Sequence, residues 1–97
     1  MPNMEWCVEN IETNQLLNVV IEEEETNFEK GSYIIIFSSE KDAYNFIEEF
    51  AFVKGFLADM ISKASVVQRI IFGPKISSNN ARKILREEKD SNVKSTD

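Results

Sequence analysis

The sequence predicts a small α+β domain, in which one long or broken helix covers a mostly antiparallel four-stranded sheet in a two-layer sandwich. A continuous β-forming run at residues 33–37 indicates a buried strand, and the apolar spacing that follows it is typical of a long helix. Further β-branched segments lie on both sides of this pair. The predicted order is β-β-β-α-β-α, which forms a single domain over residues 1–89, followed by a flexible C-terminal tail over residues 90–97.

The first two strands are predicted within residues 4–25, and the second of them includes the acidic run at residues 22–25. In "MEWCV", Met4, Trp6 and Val8 alternate with polar or small residues, and this period of two is typical of a half-buried strand. "LLNVVIEEEE" has a β-branched centre and predicts a second strand, joined to the first through the turn-rich "NIETNQ". A helix over residues 4–20 is the alternative interpretation.

The third strand is the most clearly marked. "TNFEKG" is interpreted as a turn, and "SYIIIF" at residues 32–37 follows it. A continuous apolar run of this kind indicates burial on both faces and therefore a central position in the sheet.

The segment "KGSYIIIF" resembles the third-strand motif of the RNA-recognition-motif family, with Lys30, Gly31, Ile35 and Phe37 at the matching positions. "SSEKDAYNFIEEF" is similar to the second helix of that family, so the resemblance covers about 20 residues. It implies RNA binding by base stacking on exposed aromatic residues. Ser32 and Ile34 stand where those aromatic residues belong, and we interpret the segment as an ordinary buried strand.

A long helix is predicted from Ser39 to about Ala64. Ser39 is its predicted N-cap, and Asp42 three residues later completes a pattern similar to a capping box. The apolar residues that follow recur at alternating steps of three and four, which is a heptad seam. They are Ala43, Phe46, Phe50, Val53, Leu57, Met60 and Ala64, with Ile47, Phe56 and Ile61 beside them and Tyr44 and Phe52 off the stripe.

This helix is longer than the sheet that it is expected to cover. About 26 helical residues span about 39 Å, whereas strands of about six residues span about 20 Å. Either the helix breaks at Lys54-Gly55, or it stays whole and its overhang packs against a second copy or another protein. Two interpretations of the apolar stripe stay open. Either the whole stripe is core, or Phe50, Phe52, Phe56 and Met60 contribute to an interface with a partner.

The C-terminal third predicts one more strand and a short helix. "VVQRIIF" at residues 66–72 is a strand that ends at Gly73-Pro74. Ser77 or Ser78 is the predicted cap of a helix over residues 79–89, whose apolar stripe consists of Ala81, Ile84 and Leu85.

Charge divides the chain into two parts. Residues 1–62 have 13 acidic and 3 basic side chains, and residues 63–97 have 4 acidic and 8 basic ones. The acidic part predicts a surface that attracts a basic partner, as a mimic of nucleic acid in a basic groove does. Its residues are Glu22, Glu23, Glu24, Glu25, Glu48 and Glu49, with Glu29 and Asp59.

The composition argues against most catalytic mechanisms. The chain has no histidine, a single cysteine and three isolated glycines. Histidine-based catalysis, thiolate metal clusters and phosphate-binding glycine loops therefore have no basis, and we predict neither catalytic residues, nor a metal, nor a cofactor. Weak divalent-cation binding by Glu22–Glu25 is the one metal-binding alternative. No apolar run predicts a signal peptide or a membrane span, and the expected compartment is the cytoplasm.

We therefore predict a small non-enzymatic protein-binding module: an inhibitor, an immunity or anti-defence type of protein from a virus or bacterium, or a small subunit of an assembly. The expected partner is another protein with a basic groove, and a homodimer is a further expectation. The alternative is nucleic-acid binding through the basic C-terminal segment. Its candidate residues are Lys75, Arg82, Lys83, Arg86 and Lys89. The competing interpretation is that the C-terminal helix is solvated and that its cations bind no partner.

Overall fold

A computed structural model describes residues 3–28, 31, 33–50 and 61–95, with side chains up to residue 86. It is a compact α+β domain, and the predicted fold class is confirmed. The strands are β1 (Glu5–Asn10), β2 (Asn18–Val20), β3 (Glu25–Asn27), β4 (Tyr33–Ile36), β5 (Ala64–Arg69) and β6 (Lys75–Ser77). The helices are α1 (Glu40–Phe50) and α2 (Ser78–Ser95), and a 3-10 turn covers Ile21–Glu23.

The strands form two sheets. Four strands pair in the order β3-β2-β4-β6, with β4 and β6 parallel and the other pairs antiparallel. β1 and β5 form a separate antiparallel ribbon. The ribbon joins the larger sheet where Phe37 N donates to Trp6 O at 2.9 Å and where Glu9 bridges to Leu16. β4 therefore lies inside its sheet, as its apolar run predicts.

The acidic run does not continue the second strand, and this part of the prediction is wrong. β2 ends at Val20, a 3-10 turn follows, and Glu24 has a left-handed backbone with φ 53°. β3 then begins at Glu25, inside the tetrad, and continues into the segment predicted as a turn. Thr26 is fully buried there, and its hydroxyl donates to Asn18 O at 2.7 Å.

The predicted last strand is shifted, and a further strand was missed. β5 covers residues 64–69, not 66–72, and β6 begins directly after Pro74. The Gly73-Pro74 pair, which was predicted to end this strand, lies instead in the connection between β5 and β6, where the missing N–H of proline breaks no strand pairing. The Pro74 carbonyl nevertheless accepts from Ile34 N at 3.1 Å and starts the parallel pairing with β4.

Both helix starts agree with the predicted capping. Ser39 Oγ accepts from Asp42 N at 3.0 Å, and Asp42 accepts from Ser38 N at 3.0 Å, one residue further back than in a capping box. Ser77 Oγ accepts from Asn80 N at 3.2 Å, so Ser77 is the cap of α2. α2 continues to Ser95, past its predicted end at Lys89 and into the segment predicted as a tail.

The core lies between the helices and the strands. Its buried apolar side chains are Val8, Leu17, Val19, Phe28, Ile35, Phe37, Ala43, Phe46, Ile47, Phe50, Ala81 and Leu85. The first half of the predicted helical stripe is therefore core, and Tyr44 is exposed, as its position off the stripe predicts. None of the described helices is long and apolar enough to span a membrane.

The predicted course of the long helix holds only in part. α1 is described up to Phe50, and Ala64 begins β5, so the helix does not extend to Ala64. The predicted break at Gly55 and the predicted interface residues Phe52, Phe56 and Met60 lie outside the described residues, as do Glu29 and Asp59.

Candidate protein-docking surface

The acidic tetrad forms the connection between β2 and β3, which we call the acidic hairpin (residues 21–25). Glu22 and Glu23 are exposed on the 3-10 turn, and Glu24 and Glu25 are half-buried. Val19 pairs with Tyr33, so the hairpin lies at the end of the sheet where β4 begins. Among the described residues, no ion pair involves Glu22, Glu24 or Glu25. Glu22, Glu24 and Glu25 therefore present negative charge that ion pairs within the described part of the chain do not neutralise.

The other predicted acidic pair lies on α1, which packs against β1, β5 and α2. Glu48 is exposed, but Glu49 turns toward α2. There its carboxylate pairs with Arg82 at 2.9 Å and with Arg86. Glu49 therefore pairs with cations of the same chain and connects α1 to α2. The acidic residues of α1 and those of the acidic hairpin lie on different elements of the fold.

Phe50, which is predicted as an interface residue, is a core residue in the structure. It is 3% exposed, and its ring centroid lies 4.7 Å from that of Phe46. Phe46 in turn makes an edge-to-face contact with Phe37 at 5.3 Å. The domain itself buries the Phe50 side chain, so it offers no surface to a partner.

The basic residues of the alternative prediction are mostly paired within the chain. Lys75 Nζ lies 3.1 Å from Glu5 Oε2, Arg82 pairs with Asp42 and Glu49, and Arg86 pairs with Glu49. Lys83 is exposed. The Lys89 side chain lies outside the described residues.

Arg82 joins the two helices, and we call its contact with Asp42 the Asp42–Arg82 clamp. Arg82 Nη2 lies 2.9 Å from Asp42 Oδ1 and also donates to Asp42 O at 3.3 Å. Its Nε donates to Glu49 at 2.9 Å, and its guanidinium lies 5.4 Å from the centroid of the Phe46 ring. Both charged side chains of the clamp are largely buried, at 14% and 15% exposure. Because the Arg82 guanidinium has all these partners within the domain, it stabilises the fold and is not available as a free cation.

Asp42 supplies the anion at the meeting point of two helix starts. Burial alone raises the pKa of this carboxyl, but hydrogen bonds from Ser78, Ser38 and Arg82 outweigh that effect and lower the pKa below 3.8. The Ser78 hydroxyl donates to Asp42 Oδ2 at 2.5 Å. Asp42 therefore satisfies the positive ends of α1 and α2 from within.

A cavity of about 300 Å³ lies beside these helix starts, at the carboxyl ends of β4 and β6. Its lining consists of Glu5, Ile36, Phe37, Ser38, Ser77, Ser78 and Asn79. Because Glu5 lines it and Asp42 already neutralises the helix ends beside it, the cavity has no excess positive charge for an anionic ligand. Among the described residues, no group of three or more Cys, Asp or Glu side chains is placed to hold a metal ion.

Three exposed apolar residues that the sequence did not single out lie near the connection between β5 and β6. Phe72 is 84% exposed, Met4 is 55% exposed and Ile70 is 42% exposed. Phe72 and Ile70 were counted in a predicted strand, although the position of Phe72 directly before Gly-Pro is a signal for a loop. Met4 directly precedes Glu5 and Ile70 directly follows Arg69, and since Glu5 and Arg69 are paired, Met4 and Ile70 lie at the same end of the ribbon.

Comparison of the chain with protein-family models, with curated proteins and with solved structures found no match. The class that the structure establishes is a small α+β domain, and its function is inferred from its own surfaces.

Proposed function

We propose that this chain is a non-enzymatic protein-binding module that docks on a basic surface of another protein through the acidic hairpin. One observation carries this proposal. Lys75, Arg82 and Arg86 of the C-terminal segment are paired with carboxylates of the chain, whereas Glu22, Glu24 and Glu25 have no such pair among the described residues. Inhibitors, immunity or anti-defence proteins and small assembly subunits all act by stoichiometric docking of this kind.

The hairpin geometry suits electrostatic capture of a basic groove. Its 3-10 turn displays Glu22 and Glu23 at the end of the sheet, while buried Thr26 holds the following strand in place. Because the backbone of the turn is already ordered, binding costs the side-chain freedom of the glutamates but not the ordering of a loop. Their summed field accelerates encounter with a cationic partner, and salt weakens this effect.

The same ion pairs argue against nucleic-acid binding through the C-terminal segment. A phosphate contact by Arg82 would require breaking its bonds to Asp42 and Glu49, and contacts by Lys75 or Arg86 would compete with Glu5 or Glu49. Buried charge left without a partner costs several kcal/mol. This cost supports a protein partner over nucleic acid.

The test compares two charge-matched double variants. The partner is isolated from the native host, purified and titrated at low and at high salt against the wild type, Glu22→Gln/Glu23→Gln and Glu40→Gln/Glu48→Gln. We expect the hairpin variant to bind at least about 10-fold more weakly at low salt and to have a shallower salt dependence. The α1 variant removes two exposed carboxylates from another element and should bind as the wild type does.

An unchanged affinity of the hairpin variant at low salt would overturn the proposal. A loss of equal size in both variants would show that net charge matters and that the hairpin does not. Salt-sensitive binding of nucleic acid that Lys83→Ala and Lys89→Ala abolish would favour the alternative.

A further inference from the structure

We propose that the outer edge of β5 pairs with the same edge of a second copy of this chain, so that two chains form one continuous antiparallel sheet across a two-fold axis at Val67. β5 (Ala64–Arg69) belongs to a ribbon of two strands, and its strand partner among the described residues is β1. The side of β5 that faces away from β1 is therefore a strand edge. The backbone N–H and C=O groups of such an edge are a template for a further strand.

The hydrogen bonds of β1 show which residues of β5 direct their backbone groups to this edge. The carbonyl of Val8 accepts from Leu17 N at 2.8 Å, so Val8 bonds away from β5. Its partner across the ribbon is Val66. In an antiparallel pair, two opposite residues either bond to each other or both bond outward. Val66 therefore directs its N–H and C=O outward, and Ala64 and Gln68 do so at the alternate positions.

These outward groups are open to pairing. Across the described residues, no backbone group bonds to the outer side of Ala64 or Val66. The Gln68 carbonyl accepts from Arg69 Nη1 at 2.8 Å, and the Arg69 side chain is 48% exposed. Since this guanidinium also donates to Glu9, it can release the carbonyl at little cost. A strand can therefore pair with the edge along its whole length.

β5 is longer than the two edge strands of the larger sheet. Those strands, β3 and β6, have three residues each, whereas β5 has six. Natural proteins protect long edges with proline, with charge or with a bulge. The β5 sequence ASVVQR contains no proline, and its one charged side chain is at the last position. β5 therefore lacks the features that prevent edge-to-edge pairing.

A second copy fits this edge because the segment from Ala64 to Ile70 is self-complementary about Val67. A two-fold axis there places Val67 opposite itself and Ala64 opposite Ile70 of the second copy. The bulky side chain at one end thus lies beside the small one at the other, and Ile70, which is 42% exposed in the single chain, becomes covered. Ser65 lies opposite Arg69, so that no like charges face each other.

Other positions of the axis fit less well. An axis one residue earlier brings Lys63 opposite Arg69, and like charges directly opposite each other destabilise a sheet. An axis two residues earlier requires residues 61–62 to be extended, and both are helical. An axis one residue later carries the pairing into the loop that turns at Gly73, where φ is 107°. The axis at Val67 uses the whole edge and avoids these conflicts.

Sedimentation of the purified full chain tests the dimer without any other protein. The mass should rise from one chain toward two between about 10 μM and about 1 mM, because main-chain hydrogen bonds outweigh the cost of association only modestly. Gln68→Pro removes an outward N–H that β1 does not use, and it should weaken dimerisation at least about 30-fold. Gln68→Ala keeps the N–H and should dimerise within about 3-fold of the wild type.

A disulfide experiment tests the position of the axis. In a Cys7→Ala background, Val67→Cys places two thiols at the axis, where opposite Cα atoms are about 4.5 Å apart. Cys7 is replaced because it lies opposite Val67 within the ribbon. Ser65→Cys is the control, since Ser65 faces Arg69 of the second copy. Val67→Cys should oxidise to a covalent dimer at least about 10-fold faster than Ser65→Cys.

Three results would overturn the inference. They are a chain that stays monomeric up to about 1 mM, a dimer that Gln68→Pro leaves unchanged, and equal rates of disulfide formation in the two cysteine variants. If circular dichroism shows that Gln68→Pro does not fold, the disulfide rates decide. The Glu22→Gln/Glu23→Gln variant changes the connection between β2 and β3 and should dimerise as the wild type does, so failure of this pairing and failure of the acidic hairpin are distinguished.

Discussion

The Arg82 guanidinium of α2 lies 2.9 Å from the Asp42 carboxylate of α1, and this contact connects the N-terminal halves of the two helices. The two residues are 40 positions apart in the chain, and both side chains are largely buried. Serine hydroxyls and a backbone N–H complete the bonds to Asp42. The clamp therefore fixes how the helices meet, and it also removes Arg82 from the surface charge.

We expect loss of the Arg82 side chain to destabilise the fold strongly. Arg82→Ala leaves the largely buried Asp42 without its cation and Glu49 with Arg86 alone, which should lower the free energy of unfolding by about 2–4 kcal/mol. Urea unfolding followed by circular dichroism measures this change. Lys83→Ala, one residue away and exposed, is the control and should stay within about 0.5 kcal/mol of the wild type. Equal effects of the two variants would show that the clamp does not stabilise the domain.

The clamp also predicts a dependence of stability on pH. The pKa of Asp42 is lower in the folded chain than its ordinary value of 3.8, because the hydrogen bonds outweigh the effect of burial. The contribution of the Asp42 carboxylate to the free energy of unfolding is therefore fully present above that ordinary pKa. It is lost as the pH falls through the lower folded-state pKa.

Unfolding curves of the wild type and of Asp42→Asn, measured from pH 6 down to about pH 2, test this dependence. The difference between their free energies of unfolding should shrink across the acidic end of the series. Ser78→Ala keeps the carboxylate but removes one donor, so its curve should lie between the two. A difference between wild type and Asp42→Asn that stays constant with pH would contradict a lowered pKa of Asp42 in the folded chain.

Substitution of Phe50 tests whether this residue stabilises the core or docks a partner. Since Phe50 is 3% exposed against Phe46, Phe50→Ala should lower the free energy of unfolding by about 3–4 kcal/mol. Tyr44→Ala removes a side chain that is 54% exposed on the same helix and should cost less than about 1 kcal/mol. A nearly neutral Phe50→Ala variant would return this residue to the list of interface candidates.

The thiol of Cys7 should react slowly while the chain is folded. Burial raises its pKa from 9.0 to about 11; Arg69 opposes this shift, while Glu9 and Glu5 add to it. The thiolate fraction at pH 8 is then about 100-fold lower than for an ordinary thiol, and the side chain is fully buried besides. Reaction with Ellman's reagent at pH 8 should be at least about 100-fold faster in urea than in buffer. Equal rates would place Cys7 at the surface.

The sequence alone determined the features that depend on neighbouring residues. The run at Tyr33–Ile36 is a strand inside its sheet, Ser39 caps α1, and Ala43, Phe46 and Phe50 face the core. Each of these depends on contacts within one helical turn or on a single run of β-formers, so a short window of sequence contains the information.

The tertiary structure decided which charges and apolar groups reach solvent. Glu49 and Glu22 belong to similar acidic runs, yet Glu49 is bound by two arginines and Glu22 is exposed. Ile71 is buried and Phe72 is exposed, although both belong to one apolar run. The reason is that ion pairing and burial depend on chain segments distant in sequence, which only the folded chain brings together, as it brings Arg82 to Asp42.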